Sequence, residues 1–301
     1  MRIFKLLAIA ATSVGLVASA HAAGDTKHPH PPEEGWTFEG PFGKFEQDQL
    51  QRGYKVYRQV CASCHSMDLM RFRNLGQKGG PFYDPAYPNP NDNPIVKQLA
   101  ADSAEVDIIN QEDGSDDVRT RLSSDPFPNP FANTAQARYA NNGAFPPDFS
   151  VIAKARHGGA SYIYSLLTGY PSEKDMATKY AALNVPDGQY YNPYFPGDVT
   201  PNWSGDPRHR HSDDEHGRTM LPPGGFLAMA PPLMEDIIEY DDGTPATVHQ
   251  MAADVSAFLA WAGEPKAETR KKLGFSVMIY LLILTVLVFF SYKQIWRNVE
   301  H

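Results

Sequence analysis

Apolar and polar positions set out two amphipathic helices far apart in the chain, and much of what lies between them is aperiodic. In residues 46–61, Leu50, Tyr54, Tyr57 and Cys61 recur at spacings of three and four and make one apolar face. Gly53 interrupts that helix at a cost of about 1 kcal/mol relative to Ala. A close crossing with a second helix would justify it, although a surface glycine fits the pattern too. The second helix is predicted over 248–262. Thr247 and Gln250 form a capping box at its start, and Met251, Val255, Phe258 and Leu259 form its apolar face. Gly263 and Pro265 end it. The spacing predicts that the last helix of the main domain packs across the first. Two shorter helices are expected between them. One is capped by Asp148 and runs to His157 before Gly158 and Gly159; the other covers 161–168 before Gly169 and Pro171.

Both ends of the chain carry apolar runs of another kind. Residues 273–292 hold no charge for roughly 20 residues, long enough to cross a hydrocarbon core. Basic residues flank that run: Arg270, Lys271 and Lys272 before it, Lys293 and Arg297 after it. At the start, Arg2 and Lys5 precede a short apolar segment that closes on Ala20-His21-Ala22, the pattern of a cleaved secretory signal. The expected organisation is a signal peptide at 1–22, an exported domain at 23–270, a transmembrane anchor at 271–292 and a cytoplasmic tail at 293–301. Charge counting around the anchor alone would place the domain on the other side. Long translocated domains largely escape that rule, so the export signal decides.

The rest is rich in breakers, with 26 prolines. Residues 77–93 and 186–207 read as loops. Residues 24–44 lack any period, but Trp36, Phe38, Phe42 and Phe45 suggest an arm packed onto the domain. Residues 102–125 hold eight acidic side chains against Arg119 and Arg121, and read as a solvated surface loop or as a steering patch for a basic partner. The formal net charge of −8 becomes more negative still when Arg2 and Lys5 leave with a signal peptide. That balance excludes a general nucleic-acid binder and favours a basic soluble partner.

The chemistry lies at the end of the first helix, in Cys61-Ala62-Ser63-Cys64-His65. C-x-x-C-H is the spacing of a covalent c-type haem site: two thiols one turn apart meet two vinyl groups, and the histidine ligates the iron proximally. A thioredoxin-like pair would need a βαβ context that is not visible, and half a zinc site would need a second ligand pair. Cys61 and Cys64 are the only two cysteines. The predicted fold is mainly α with long irregular loops, a c-type cytochrome core with insertions, and one C-terminal transmembrane helix.

A haem that only carries electrons needs a sixth ligand, whereas an open site would serve a haem enzyme. Met67 and Met70 are too near His65 in sequence, Met176 lies in a polar helix, Met251 on a core face and Met278 in the anchor. Met220, Met229 and Met234 remain. Met229 has the best setting, after Gly224 and Gly225 and before Pro231 and Pro232, where glycines allow close approach to a flat cofactor and prolines stiffen the backbone. His209, His211 and His216 could bind a divalent cation but read better as a solvated loop.

These stretches together are similar to the cytochrome c1 family: GWTFEGPFGKFEQDQLQRGYKVYRQVCASCHSM (35–67), YANNGAFPPDFSVIAKARHGGASYIYSLLTGY (139–170), YYNPYFPG (190–197), MAPPL (229–233) and YDDGTPAT (240–247), followed by the single anchor. The resemblance implies one haem c bonded through Cys61 and Cys64, with His65 proximal and Met229 distal. It also implies that Arg156 pairs with a haem propionate, the fork geometry of guanidinium and carboxylate, and that Tyr162, Asn141 and Asn142 lie near the haem. It implies no catalytic residue and no enzyme on its own, but the electron relay of a quinol–cytochrome c oxidoreductase. The implied partners are the Rieske iron–sulfur protein as donor, a cytochrome c as acceptor and cytochrome b in the membrane, within a dimeric complex. The implied location is the periplasmic face of a bacterial inner membrane. Two departures stand out: no cysteine is left for the disulfide that braces the distal region of some bacterial relatives, and 198–221 lies outside the common core. A cytochrome tethered to a terminal oxidase is the remaining alternative.

Overall fold

A computed structural model describes residues 26–205 and 221–298. The expected signal peptide at 1–22, Met220 and the histidine-rich stretch at 208–216 lie outside the described residues. In chain order the helices are α1 (Gln47–Gln59), α2 (Phe72–Leu75), α3 (Pro94–Ala101), α4 (Thr134–Ala140), α5 (Gly159–Thr168), α6 (Glu173–Thr178), α7 (Val248–Gly263) and α8 (Ala267–Ile295). The strands form two antiparallel pairs, β1 (Val106–Ile109) with β2 (Asp116–Arg119) and β3 (Tyr190–Asn192) with β4 (Gly225–Leu227). The chain divides into two compact units, one of Pro31–Tyr164 with everything from Leu233 onward, the other of the residues up to His30 with Ser165–Pro232.

In the first unit α7 crosses α1. Gly53 is the contact point: a Cβ there would stand 2.1 Å from the Asp254 carbonyl oxygen and 2.6 Å from Phe258 Cβ. The expected close crossing therefore forms, and only a residue without a side chain permits it. Around it Leu50, Val56, Val255, Phe258, Leu259 and Trp261 are buried. Tyr54 meets Phe258 edge-on at 5.7 Å, and Tyr57 stacks on Phe127 at 6.0 Å. An ion pair sits in this seam. Asp254 is completely buried; Arg52 donates to it from Nε at 3.0 Å, as Gln250 does from Nε2 at 3.0 Å, and Arg52 also pairs with Asp242 at 2.8 Å. The cap of α7 is half of the predicted box: Thr247 accepts from the Gln250 N–H, while the Gln250 side chain turns to Asp254.

The arm before α1 packs as expected. Trp36 is buried with its indole N–H donating to Ser161 Oγ at 2.8 Å, and Phe38 stacks on Phe45 at 4.6 Å. Two expectations are corrected. No helix forms over 148–157: Asp148 Oδ1 accepts from the Ser150 N–H as a cap would, but Phe149 is drawn to the Ser66 carbonyl and the chain closes in turns of three, Ile152 on Phe149 and Lys154 on Val151. The acidic stretch is not all loop: Val106 pairs with Arg119 and Ile109 with Asp116 in a hairpin, and Arg119 grips Asp125 at 2.6 Å. Backbone pairing needs no apolar face, so charge density hid it.

The second unit gathers around Tyr180, Leu183, Tyr191, Val199, Trp203 and Leu221, with Met176 packed against them. The aromatic-rich stretch at 186–207 thus contributes β3 and part of a core. α8 extends about 44 Å at 1.5 Å per residue. With the short turn that follows, it forms the one described helix long and apolar enough to cross a membrane, and the apolar run is exposed along its length.

Candidate haem site

At the end of α1 the chain tightens. The Val60 N–H caps the helix on the Val56 and Tyr57 carbonyls, and Cys61–Ser63 forms a 3-10 turn in which both Cys64 and His65 donate to the Cys61 carbonyl, at 3.1 and 2.9 Å. This places the two thiols one tight turn apart with the imidazole directly after. Both cysteines are free and half-buried. Loss of solvent, with Cys64 nearby, pushes the Cys61 thiol up to about 12.

His65 is buried and its Nδ1 lies 2.8 Å from the Pro147 carbonyl oxygen. A carbonyl only accepts, so Nδ1 carries the proton and the lone pair of the neutral ring is on Nε2. Burial lowers the imidazole pKa and so favours the neutral ring, while the Pro147 bond and the Asp148 charge pull the other way. Phe149 stacks on the ring at 3.9 Å and 16°. Two thiols in one turn and an imidazole with Nε2 available fit a covalently held haem: a locked tautomer is what a metal-ligating histidine requires. Among the described residues, no group of three or more His, Cys, Asp or Glu could hold a bare metal ion.

The segment 147–150 holds this turn at several points, and sequence reasoning missed it. Besides Pro147, Asp148 Oδ2 accepts from Ser66 Oγ and the Asp68 N–H, both at 2.8 Å. The Phe149 N–H donates to the Ser66 carbonyl at 2.8 Å, and Ser150 Oγ accepts from the Leu69 N–H at 3.0 Å. Burial opposes the charge of Asp148, but its hydrogen bonds hold the carboxyl below the usual range. No periodicity signals a clamp that spans 82 residues of chain; a proline pair followed by an acid was the only hint.

The remaining expected residues fall in two places. Arg156 is exposed and sits beside Tyr162, whose hydroxyl pKa burial raises and Arg156 draws back. Asn141 and Asn142 end α4: Asn141 Nδ2 donates to the Ala137 carbonyl at 2.7 Å, and Asn142 takes a left-handed φ of 51°. Those four and the C-x-x-C-H turn belong to the first unit. Met229 belongs to the second. It is half-buried, and its carbonyl accepts from the Tyr170 hydroxyl at 2.9 Å. The glycines before it serve the protein's own packing. Gly224, at φ +103°, would place a Cβ 2.3 Å from the Asn192 carbonyl oxygen, and a Cβ on Gly225 would stand 2.7 Å from Gly197 Cα. The Met229 loop is thus built onto β3 and the turn after it.

A helix ending in C-x-x-C-H, crossed by the last helix before a membrane span, defines a membrane-anchored c-type cytochrome. The model of the Cytochrome C1 family matches residues 36–299. The cytochrome c1 of Rhodospirillum rubrum is 36% identical over 96% of this chain and 94% of its own. The "Cytochrome b-c1 complex catalytic subunit, mitochondrial" of Candida albicans is 37% identical over 90% of this chain and 79% of its own. The "Cytochrome b/c1" of Bradyrhizobium diazoefficiens is 34% identical over 97% of this chain, which spans only 40% of that longer protein. The chain belongs to the cytochrome c1 family, haem proteins of electron transport.

Proposed function

We propose that this chain is the haem-bearing relay subunit of a quinol–cytochrome c oxidoreductase. In this reading one haem c is bonded through Cys61 and Cys64, and when bound it supplies one-electron redox chemistry. His65 would ligate its iron through Nε2, and Met229 would supply the other protein ligand. Arg156 neutralises a propionate, with Tyr162, Asn141 and Asn142 nearby. The chain takes an electron from the Rieske iron–sulfur protein and hands it to a cytochrome c, while its anchor lies beside cytochrome b in a dimeric complex.

The observation that carries the reading is the Nδ1–H of His65 held on the Pro147 carbonyl, which leaves the other ring nitrogen for iron in a C-x-x-C-H turn. The relatives named for a b-c1 complex and for a joined cytochrome b/c1 favour cytochrome b as the membrane partner. The acidic net charge suits a basic acceptor. The organisation proposed is a signal peptide at 1–22, a periplasmic domain at 23–270, an anchor at 271–292 and a cytoplasmic tail at 293–301, in a bacterial inner membrane. Protease added to intact spheroplasts should digest the haem domain and spare the tail.

The deciding experiment compares the protein with Met229→Leu. The variant should keep its covalent haem, show a clearly lower reduction potential and bind carbon monoxide, because a thioether ligand raises the potential and fills the sixth position. Carbon monoxide binding by the unaltered protein would favour a haem enzyme instead. Purification in mild detergent should recover cytochrome b; recovery of a terminal oxidase without it would overturn the assignment.

A further inference from the structure

The electron-relay reading leaves one exposed aromatic unused, at the tip of the arm. Residues 37–44 form a closed loop: the Lys44 N–H donates to the Thr37 carbonyl at 3.0 Å and the Glu39 N–H to the Trp36 carbonyl at 3.1 Å. Gly43 is indispensable to it, because a Cβ would lie 1.9 Å from the Glu39 carbonyl oxygen. The base of the loop is fixed by buried Trp36 and by the Phe38–Phe45 stack. Phe42, at the tip, is 73% exposed. A lone exposed phenylalanine is ordinary on a soluble surface.

This one is bound to the start of the membrane helix. Lys271 Nζ donates to the Phe38 and Gly43 carbonyls, and the Phe45 N–H donates to Glu268 Oε1 at 3.1 Å. Phe42 itself stands edge-on to Phe275 with ring centres 5.8 Å apart. The uncharged run begins at Leu273, so Phe275 lies about 3 Å along the axis into it, at 1.5 Å per residue. Phe42 is therefore held level with the boundary between headgroups and hydrocarbon, just past the basic residues Arg270, Lys271 and Lys272.

We propose that the loop at 39–43 is a membrane-contact element, with Phe42 immersed in the lipid interface beside Phe275. Lipid is the occupant that the geometry favours. The patch is continuous with the span itself, its tip of Gly40, Pro41, Phe42 and Gly43 carries no charge, and aromatic rings favour this depth. The consequence is a second point of attachment. The haem unit is held to the membrane by the loop as well as by α8, which restrains swivelling about residues 264–266 and fixes which face of the unit looks away from the bilayer. The inference rests on α8 crossing a membrane.

The test uses the full chain in its native membranes, with a photoreactive benzoylphenylalanine placed at Phe42, at Phe289 in the middle of the span, or at Tyr139, which is 93% exposed on α4. Covalent haem content checks that each variant folds. On irradiation, Phe42 and Phe289 should both give phospholipid adducts by mass spectrometry, each at least tenfold above Tyr139. An adduct at Phe42 to another polypeptide, or a lipid yield no higher than at Tyr139, would overturn the proposal. Loss of the lipid adduct at Phe289 as well would overturn the span on which it rests.

Discussion

Asp148 shows how much one side chain does here. Its carboxylate accepts from Ser66, Asp68 and Ser150, and so ties the turn after His65 to the segment whose Pro147 carbonyl fixes the imidazole. Asn at this position offers one acceptor oxygen and an NH2 group that faces the Asp68 N–H or the Ser150 N–H. Asp148→Asn should cost about 1–2 kcal/mol, the penalty for a buried donor left unpaired, read as a shift in the denaturant midpoint. With His65 ligating the iron as proposed, loss of the charge beside it should also raise the reduction potential, since an anion there favours the oxidised iron. A purely structural role would lower stability and leave the potential where it was. The residues of the motif were legible from spacing alone. The clamp was not, because its members are joined only through space.

At the scale of elements the fold turns on the crossing of α1 and α7. Gly53→Ala should separate the helices or force side chains off their rotamers, and should cost about 3 kcal/mol or more, near the upper end for overpacking. Thermal melting checks this. Thr247→Ala serves as the milder comparison, at about 1 kcal/mol for one lost cap. Both helices could be read from their apolar period, and α7 was placed correctly at its first residue because cap, period and stop signal agree. The expected helix at 148–157 failed for the opposite reason: Asp148 makes the local bond of a cap, yet nothing after it carries an apolar period and the backbone closes in turns instead. The hairpin of β1 and β2 was missed because its turn, with Gly114 at φ +73°, lies inside a run of charge that reads as solvated loop.

Across the whole molecule, paired carboxylates, some local and some between distant parts of the chain, give the protein its response to acid. Arg119 holds Asp125 down to about 2; the Thr244 N–H and Arg52 hold Asp242 to about 2; Arg270 and Lys154 hold Glu264 to about 2. Each carboxylate is more acidic folded than unfolded. Their stabilisation is therefore complete above the ordinary carboxylate range near pH 4 and is lost as pH falls through about 2. Asp254 opposes the trend: burial raises its pKa against Arg52 and Gln250, so protonation there relieves a buried charge. Denaturant midpoints should stay level down to about pH 5 and fall steeply below about pH 4. Glu264→Gln should flatten part of that fall at a cost of about 1 kcal/mol or less at neutral pH, as expected of a partly exposed pair.

The sequence by itself determined the C-x-x-C-H spacing, the two crossing helices, the span and the family, because each is a local pattern: a fixed spacing, a period or an uninterrupted apolar run. Tertiary structure alone decided which nitrogen of His65 is free, why Gly53 and Gly224 must be glycine, and where Phe42 stands relative to the anchor. Those depend on atoms that meet across long stretches of chain, and no local pattern records which carbonyl will arrive beside a given ring or Cα.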